Sequence, residues 1–376
     1  MQTGTKNGMN MRLGRIGAQE GVSVLSIALT LGGVFTLETK TLYEHGNSAY
    51  LTVPAAVLIS LVVFILLLKS MQKAHVRDLY RLLEKGYGNA GAAMLSIPIM
   101  LLLLFSAFLA LSQFVKAMHG LFFEGVSYSR IAVFVIPAVL IIAWLGLETI
   151  GRTAKCFAIL LVILLVVTIS ASSAQFDVYR LYPFPGNTIG KIAIQTIEEI
   201  GAFLPAMAGV LICAEGLNDS ETVKKAGIFG AAAASILCFI ALLAIGMTYT
   251  YTELSDQFLP LFRINYLNMF EAHLMRMDKL AHIVWLNGAI ISSAFYIYSA
   301  SLLFAKAFSI RDIRPVLASS AMIVFLLILL ETETLNNELF KAFKMQTERS
   351  AFLILPVTLI LAAILAIKKT RGNETV

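Results

Sequence analysis

The stretch QTIEEIGAFLPAMAGVLI, Gln195–Ile212, decides how this chain is read. It is apolar enough to lie in a membrane, yet it carries Gly201, Pro205 and Gly209 at intervals of four. Proline has no amide hydrogen for the carbonyl four residues earlier, and glycine has no Cβ to hold helical geometry. A second apolar stretch, ALTLGGV at Ala28–Val34, places Gly32-Gly33 just after Thr30. Two membrane segments with clustered helix breakers in corresponding positions point to an inverted repeat with both helices broken near the midplane.

Composition supports a membrane reading of the whole chain. Of 376 residues, 58% are hydrophobic and 14% charged, and the mean hydropathy is +0.81. Soluble domains hold about 25% charged residues, so a soluble enzyme is excluded. Ten apolar runs are predicted as spans: 19–37, 51–68, 90–116, 131–147, 156–174, 192–214, 226–249, 281–305, 313–330 and 350–367. An even count puts both termini on one side. The N-terminal tail, the even-numbered loops and the C-terminal tail hold 18 of the 29 Lys and Arg residues, which assigns that side to the cytoplasm. The largest share comes from 69–89, where Lys69, Lys73, Arg77, Arg81 and Lys85 recur every four residues, as on one face of a short surface helix contacting lipid headgroups. The first span is expected to be retained, because the polar N-terminal segment is unlike a signal peptide. Cys156, Cys213 and Cys238 lie in or beside apolar runs without CxxC spacing and read as small core residues.

Ten spans divide into five and five, within a single integral membrane domain over 1–376: repeat one over about 19–174, repeat two over about 192–367. The breakers fall in spans 1 and 6, each of which opens a half. Long connectors follow spans 2 and 7, on opposite sides, as an odd number of spans per repeat requires. A break frees backbone carbonyls and amides that hydrocarbon cannot satisfy, so a polar ligand is expected there. The predicted ligand site comprises Thr30, Gly32, Gly33, Gly201, Pro205 and Gly209. Glu198 joins it as the carboxylate sharing a face with Gly201, Pro205 and Gly209. Glu198 and Glu199 read equally as solvated groups near the outer headgroups. In span 8, Ser292, Tyr296 and Ser299 fall on one stripe with Trp285, either lining a solute path or bonding helix to helix. Ser292 and Tyr296 are taken as ligand candidates. Ser106 and Gln113 share a face of span 3.

Nothing points to an enzyme. There is no HExxH, P-loop or GxSxG pattern. Glu271, His273, Asp278 and His282 are better explained as loop groups than as metal ligands. No cofactor, metal or nucleic-acid partner is expected.

The stretch PLFRINYLNMFEAHLMRMDKLAHIVW, Pro260–Trp285, resembles the characteristic region of the endospore germination permeases, the B subunits of nutrient germinant receptors. The resemblance lies in Pro260-Leu261, Arg263, Arg276, Asp278 and Trp285. RIGAQEGVSVLSI at the start, and LGLETIGR with Glu148 and Arg152, are also similar. The resemblance implies the amino acid, polyamine and organocation superfamily and an all-α, LeuT-like fold. It implies a non-enzymatic subunit of the bacterial cell membrane, in this case the spore inner membrane. That subunit would sense a small nutrient, such as an amino acid, together with an A-type subunit and a lipoprotein C-type subunit. The alternative is an autonomous, ion-coupled amino acid transporter using the same cavity. Arg276 and Asp278 are expected in a lid over the outer vestibule.

Overall fold

A computed structural model describes residues 14–34, 48–123, 125–182, 184, 186–250, 253, 277–333 and 356–370. The described chain is built of α-helices: α1 (Ala18–Val34), α2 (Ala49–Lys73), α3 (Leu79–Phe122), α4 (Tyr128–Leu145), α5 (Leu147–Ser172), α6 (Ile189–Ile212), α7 (Ser220–Thr248), α8 (Met277–Ala307) and α9 (Arg314–Glu333). The helix at 356–370 is α10. Each of the ten predicted runs overlaps one of these helices. Among the described residues, eight helices, α2 to α9, are long and apolar enough to cross a membrane, and α1, at 17 residues, is shorter.

Local chemistry explains where the helices start and turn. Asp78 caps α3 by accepting from the Arg81 amide at 2.7 Å, and Asp219 caps α7 by accepting from the Thr222 amide at 2.7 Å. Gly146 divides α4 from α5 with a φ of 94°, which a side chain would resist. Gly88, at φ 81°, kinks α3. This corrects the surface helix expected over 69–89. Lys69 and Lys73 end α2, the chain turns, and Arg81 and Lys85 lie on α3, where Lys85 donates to the Ala74 carbonyl. The four-residue spacing therefore does not produce one basic face.

Burial sorts the helices. In α8, 94% of the apolar window is buried, against 28% in α4 and in α5, so α8 is the centre and α4 and α5 are peripheral. Cys213 and Cys238 are buried, whereas Cys156 is exposed, contrary to its reading as a core residue. The contacts repeat with an offset of five helices: α1 packs on α7 as α6 packs on α2, and α1 on α8 as α6 on α3. Small residues make these approaches close. A Cβ on Gly230 would lie 3.0 Å from Leu25, one on Gly21 2.9 Å from Ala226, and one on Gly227 would collide with the Phe64 ring.

Candidate functional site

Where α1, α3 and α8 meet, Leu31, Ala110, Phe114, Trp285 and Ala289 enclose a cavity. About 10 Å³ of it is open to the centre of a water-sized sphere, room for one water at most. Trp285 and Ala289 share a face of α8 with Ser292, one turn further along. Ser292 and Thr30, the neighbour of Leu31 in the chain, are each 1% exposed, and neither hydroxyl has a hydrogen-bond partner among the described residues. A buried hydroxyl without a partner is costly, and such groups suit a polar guest. The sequence pattern singles out Trp285, Ser292 and Thr30 but not Ala110, Phe114 or Ala289, which carry no signal beyond being apolar.

The other predicted site residues separate into different roles. A Cβ on Gly33 would sit 2.7 Å from the Cys238 sulfur and 3.0 Å from Val53, and one on Gly209 2.9 Å from the Phe295 ring and 3.2 Å from Ser299 Oγ, so both are packing glycines. At Gly32 the nearest atom is Phe203 at 3.6 Å, and a side chain has room. Both expected breaks are milder than predicted. Helix α1 is regular to Val34, and α6 runs through Gly201, Pro205 and Gly209 to Ile212. The interruption in α6 is the single bond that Pro205 cannot give to the Gly201 carbonyl. The missing amide costs one hydrogen bond, and the flanking turns hold the helix together.

Glu198 is exposed and Glu199 is the buried carboxylate, at 9%, which reverses the expected preference. Gln195, Glu199 and Phe203 are buried on one face of α6, and Gly201, Pro205 and Gly209 are buried as well, so the glycine spacing does not single out the buried carboxylate. Ser48 donates to Gln195 Oε1 at 3.2 Å and accepts from Asn187 at 3.1 Å beside this face. Tyr296 is buried with its ring 5.8 Å from that of Phe295, and Ser299 meets the Cys213 sulfur at 3.4 Å. In α3, Ser106 bonds back to the Leu102 carbonyl and Gln113 is buried. Arg276 and the side chain of Asp278 lie outside the described residues.

Two ion clusters, unread in the sequence, flank the cavity helices. Lys116 of α3 donates to Glu331 of α9 at 2.6 Å, and Ser112 also bonds that carboxylate. At the opposite end of α3, Lys306 of α8 donates to Asp78 at 2.5 Å and to Glu215 at 2.8 Å, while Arg81 lies 3.3 Å from Glu215. Burial pushes the Asp78 carboxyl above its ordinary range, with Lys306 opposing. Burial acts on Glu215 in the same sense, but there the charge and hydrogen bond of Lys306, together with the Asp78 hydrogen bond and the Arg81 charge, outweigh it and hold the carboxyl below its ordinary range.

The fold and the enclosed site define a permease-like integral membrane protein. The chain overlays a substrate-bound, outward-open Na+-coupled sialic acid symporter with a TM-score of 0.66 at 14% identity, covering 94% of this chain and 88% of that one. It overlays a manganese transporter of Eremococcus coleocola, in complex with an aromatic bis-isothiourea substituted compound, with a TM-score of 0.60 at 14% identity, covering 96% and 82%. A nucleobase-cation-symport-1 family transporter, closed around bromovinylhydantoin, overlays with a TM-score of 0.58 at 14% identity, covering 96% and 93%. These likenesses establish the LeuT-like fold. No functionally curated protein matches the chain significantly. The sequence profile of the spore germination protein family matches residues 18–338, and the chain belongs to that permease family.

Proposed function

We propose that this chain is the ligand-sensing permease subunit of a nutrient germinant receptor, in the spore inner membrane with both termini in the cytoplasm. The observation that carries the reading is the closed cavity of Leu31, Ala110, Phe114, Trp285 and Ala289 on the most buried helix of the bundle. Its walls are apolar, and the charged clusters belong to other parts of α3 and α8. The short aliphatic side chain of a small amino acid matches that lining, while its ammonium and carboxylate would have to be met by polar groups beside it. The hydroxyls of Thr30 and Ser292 are the nearest unused polar groups in sequence and face.

Because the cavity holds about one water, a nutrient enters only if α1, α3 and α8 part, which couples occupancy to helix positions. That coupling is what an A-type subunit and a lipoprotein C-type subunit would read. The two repeats, about 19–174 and 192–367, supply the moving halves. Thermal-shift screening of the purified chain against the twenty amino acids, nucleosides and sugars tests this. A ligand at 100 times its dissociation constant stabilises by about 2.7 kcal/mol. Equal stabilisation of an Ala289→Phe variant would place the site elsewhere. Counterflow uptake by the chain alone in proteoliposomes would instead support an autonomous ion-coupled transporter.

A further inference from the structure

Three segments far apart in the chain converge at one end of the bundle. They are the turn from α2 into α3 with Asp78, the short turn after α6 with Glu215, and the last turn of α8 with Lys306. The Lys306 ammonium donates to both carboxylates, and the side chain of Asp78 is 0% exposed. Asp78 is also the cap of α3, so its tie to Lys306 runs straight into that helix. The isolated bridge between Ile16 and Leu217 brings the segment leading into α1 to the same end. Helices α3 and α8 contribute four of the five cavity walls, Ala110 and Phe114 from one, Trp285 and Ala289 from the other. They cannot separate at this end while Lys306 holds Asp78.

We propose that Lys306, clamped between Asp78 and Glu215, is a latch that keeps this end of the bundle shut, and that releasing it opens a water path to the Cys213 thiol. The physical argument is one of compensation. Inside the closed end Asp78 is wholly shielded, so the loss of Lys306 leaves that carboxylate buried without its close counter-ion, whereas Glu215, 21% exposed, keeps Arg81 at 3.3 Å. Opening the end hydrates each group separately, so the closed and open arrangements exchange ion pairing for hydration. Two arrangements of similar free energy make a switch. Removing the ammonium shifts the balance toward opening, because Asp78 then loses its close counter-ion and keeps only the Arg81 amide at 2.7 Å and the Arg81 guanidinium at 3.9 Å. Cys213 reports the change. It is 1% exposed, two residues before Glu215, with its sulfur 3.4 Å from Ser299 Oγ. Ser299 stands on α8 two turns before Lys306, so the thiol lies one layer inside the cluster. The latch is independent of which solute the cavity takes and of whether that solute is sensed or carried.

The test measures N-ethylmaleimide labelling of Cys213 in the full chain in membrane vesicles, in a Cys156→Ser/Cys238→Ser background. A thiol reacts in proportion to its exposure and thiolate character, so labelling of the closed state is slow. Lys306→Met keeps the side-chain stem and removes the charge, and labelling is expected to accelerate by about tenfold or more as the open population grows. Asp78→Asn/Glu215→Gln/Lys306→Met removes all three charges together and is expected to return labelling to within about threefold of the parent, because no unmatched charge is left. A parallel Cys156→Ser/Cys213→Ser background retains Cys238, which is 0% exposed within α7. Cys238 is expected to stay slow in every variant. Labelling of Cys213 unchanged by Lys306→Met overturns the proposal. Equal acceleration at Cys238 also overturns it, since the charges would then hold the whole bundle together rather than one end.

Discussion

Lys306 and Asp78 are 228 residues apart in the chain, and their side chains meet at 2.5 Å with the carboxylate wholly shielded from solvent. The pair joins the end of the central helix α8 to the first residue of α3, and Glu215 shares the same ammonium.

Asp78 and Glu215 respond to pH with opposite sign. Glu215, held below its ordinary range, contributes stability that is present above its unfolded value of about 4.3 and lost as pH falls through its folded value. Asp78, raised by burial, takes up a proton more readily when folded, so acid relieves part of its cost. In Asp78→Asn only the Glu215 dependence is left. The loss of thermal midpoint between pH 5 and pH 3 is therefore expected to be steeper in Asp78→Asn than in the parent. A shallower loss contradicts the assignment.

Gly32 and Gly33 are neighbours with different duties. A methyl on Gly33 meets Cys238 at 2.7 Å and Val53 at 3.0 Å, and such overpacking costs about 1–3 kcal/mol. At Gly32 the same methyl lies 3.6 Å from Phe203, an ordinary contact. Gly33→Ala is expected to lower the thermal midpoint and Gly32→Ala to keep it. Paired melting curves of the two variants decide the matter.

Filling the cavity separates binding from folding. Ala289 lines a space with room for about one water, so Ala289→Val puts two methyl groups where the proposed nutrient must enter. The variant is expected to lower the melting midpoint without ligand by no more than an overpacking cost of about 1–3 kcal/mol allows, and to lose the ligand-dependent shift that the parent shows with its best amino acid. Retention of the full shift excludes this cavity. Trp285→Ala, by contrast, removes a buried indole and is expected to cost about 3–5 kcal/mol whatever the ligand.

The tie between α3 and α9 is tested by restoring balance rather than by breaking it. Lys116 and Glu331 have side-chain exposures of 16% and 7%, and losing one partner leaves the other charge buried. Glu331→Gln is expected to destabilise by about 3 kcal/mol or more, and Lys116→Met/Glu331→Leu to recover most of that loss. If the double variant melts no higher than Glu331→Gln, the pair contributes something other than charge compensation.

The contrast between Glu198 and Glu199 shows how far the sequence reaches. Both lie in the same turn of α6, and glycine spacing favoured Glu198, but in the folded bundle Glu199 is the buried one, on the same face as Gln195 and Phe203. In the segment 69–89 a regular four-residue spacing suggested one helix, and the turn before Asp78 and the positive φ of Gly88 divide it. Thr30 was legible because it precedes the Gly32-Gly33 breaker, and Trp285 and Ser292 because they fall on one polar stripe. Ala110, Phe114 and Ala289 were not, because no breaker or polar stripe marks them in their apolar spans.

By itself the sequence determined that the chain is an integral membrane protein of ten apolar runs, where those runs lie, and which family it resembles. Those properties are local, since the thickness of the hydrocarbon layer sets a length and a polarity that each segment must meet alone. Tertiary structure decided which glycines are packing surfaces, which of two adjacent carboxylates is buried, and that Asp78, Glu215 and Lys306 form one cluster. Each of those outcomes depends on the rotation of a helix about its axis and on contacts between segments distant in the chain. Inside a bilayer, hydrophobicity does not distinguish a face against lipid from a face against another helix, so only packing and charge pairing fix that rotation.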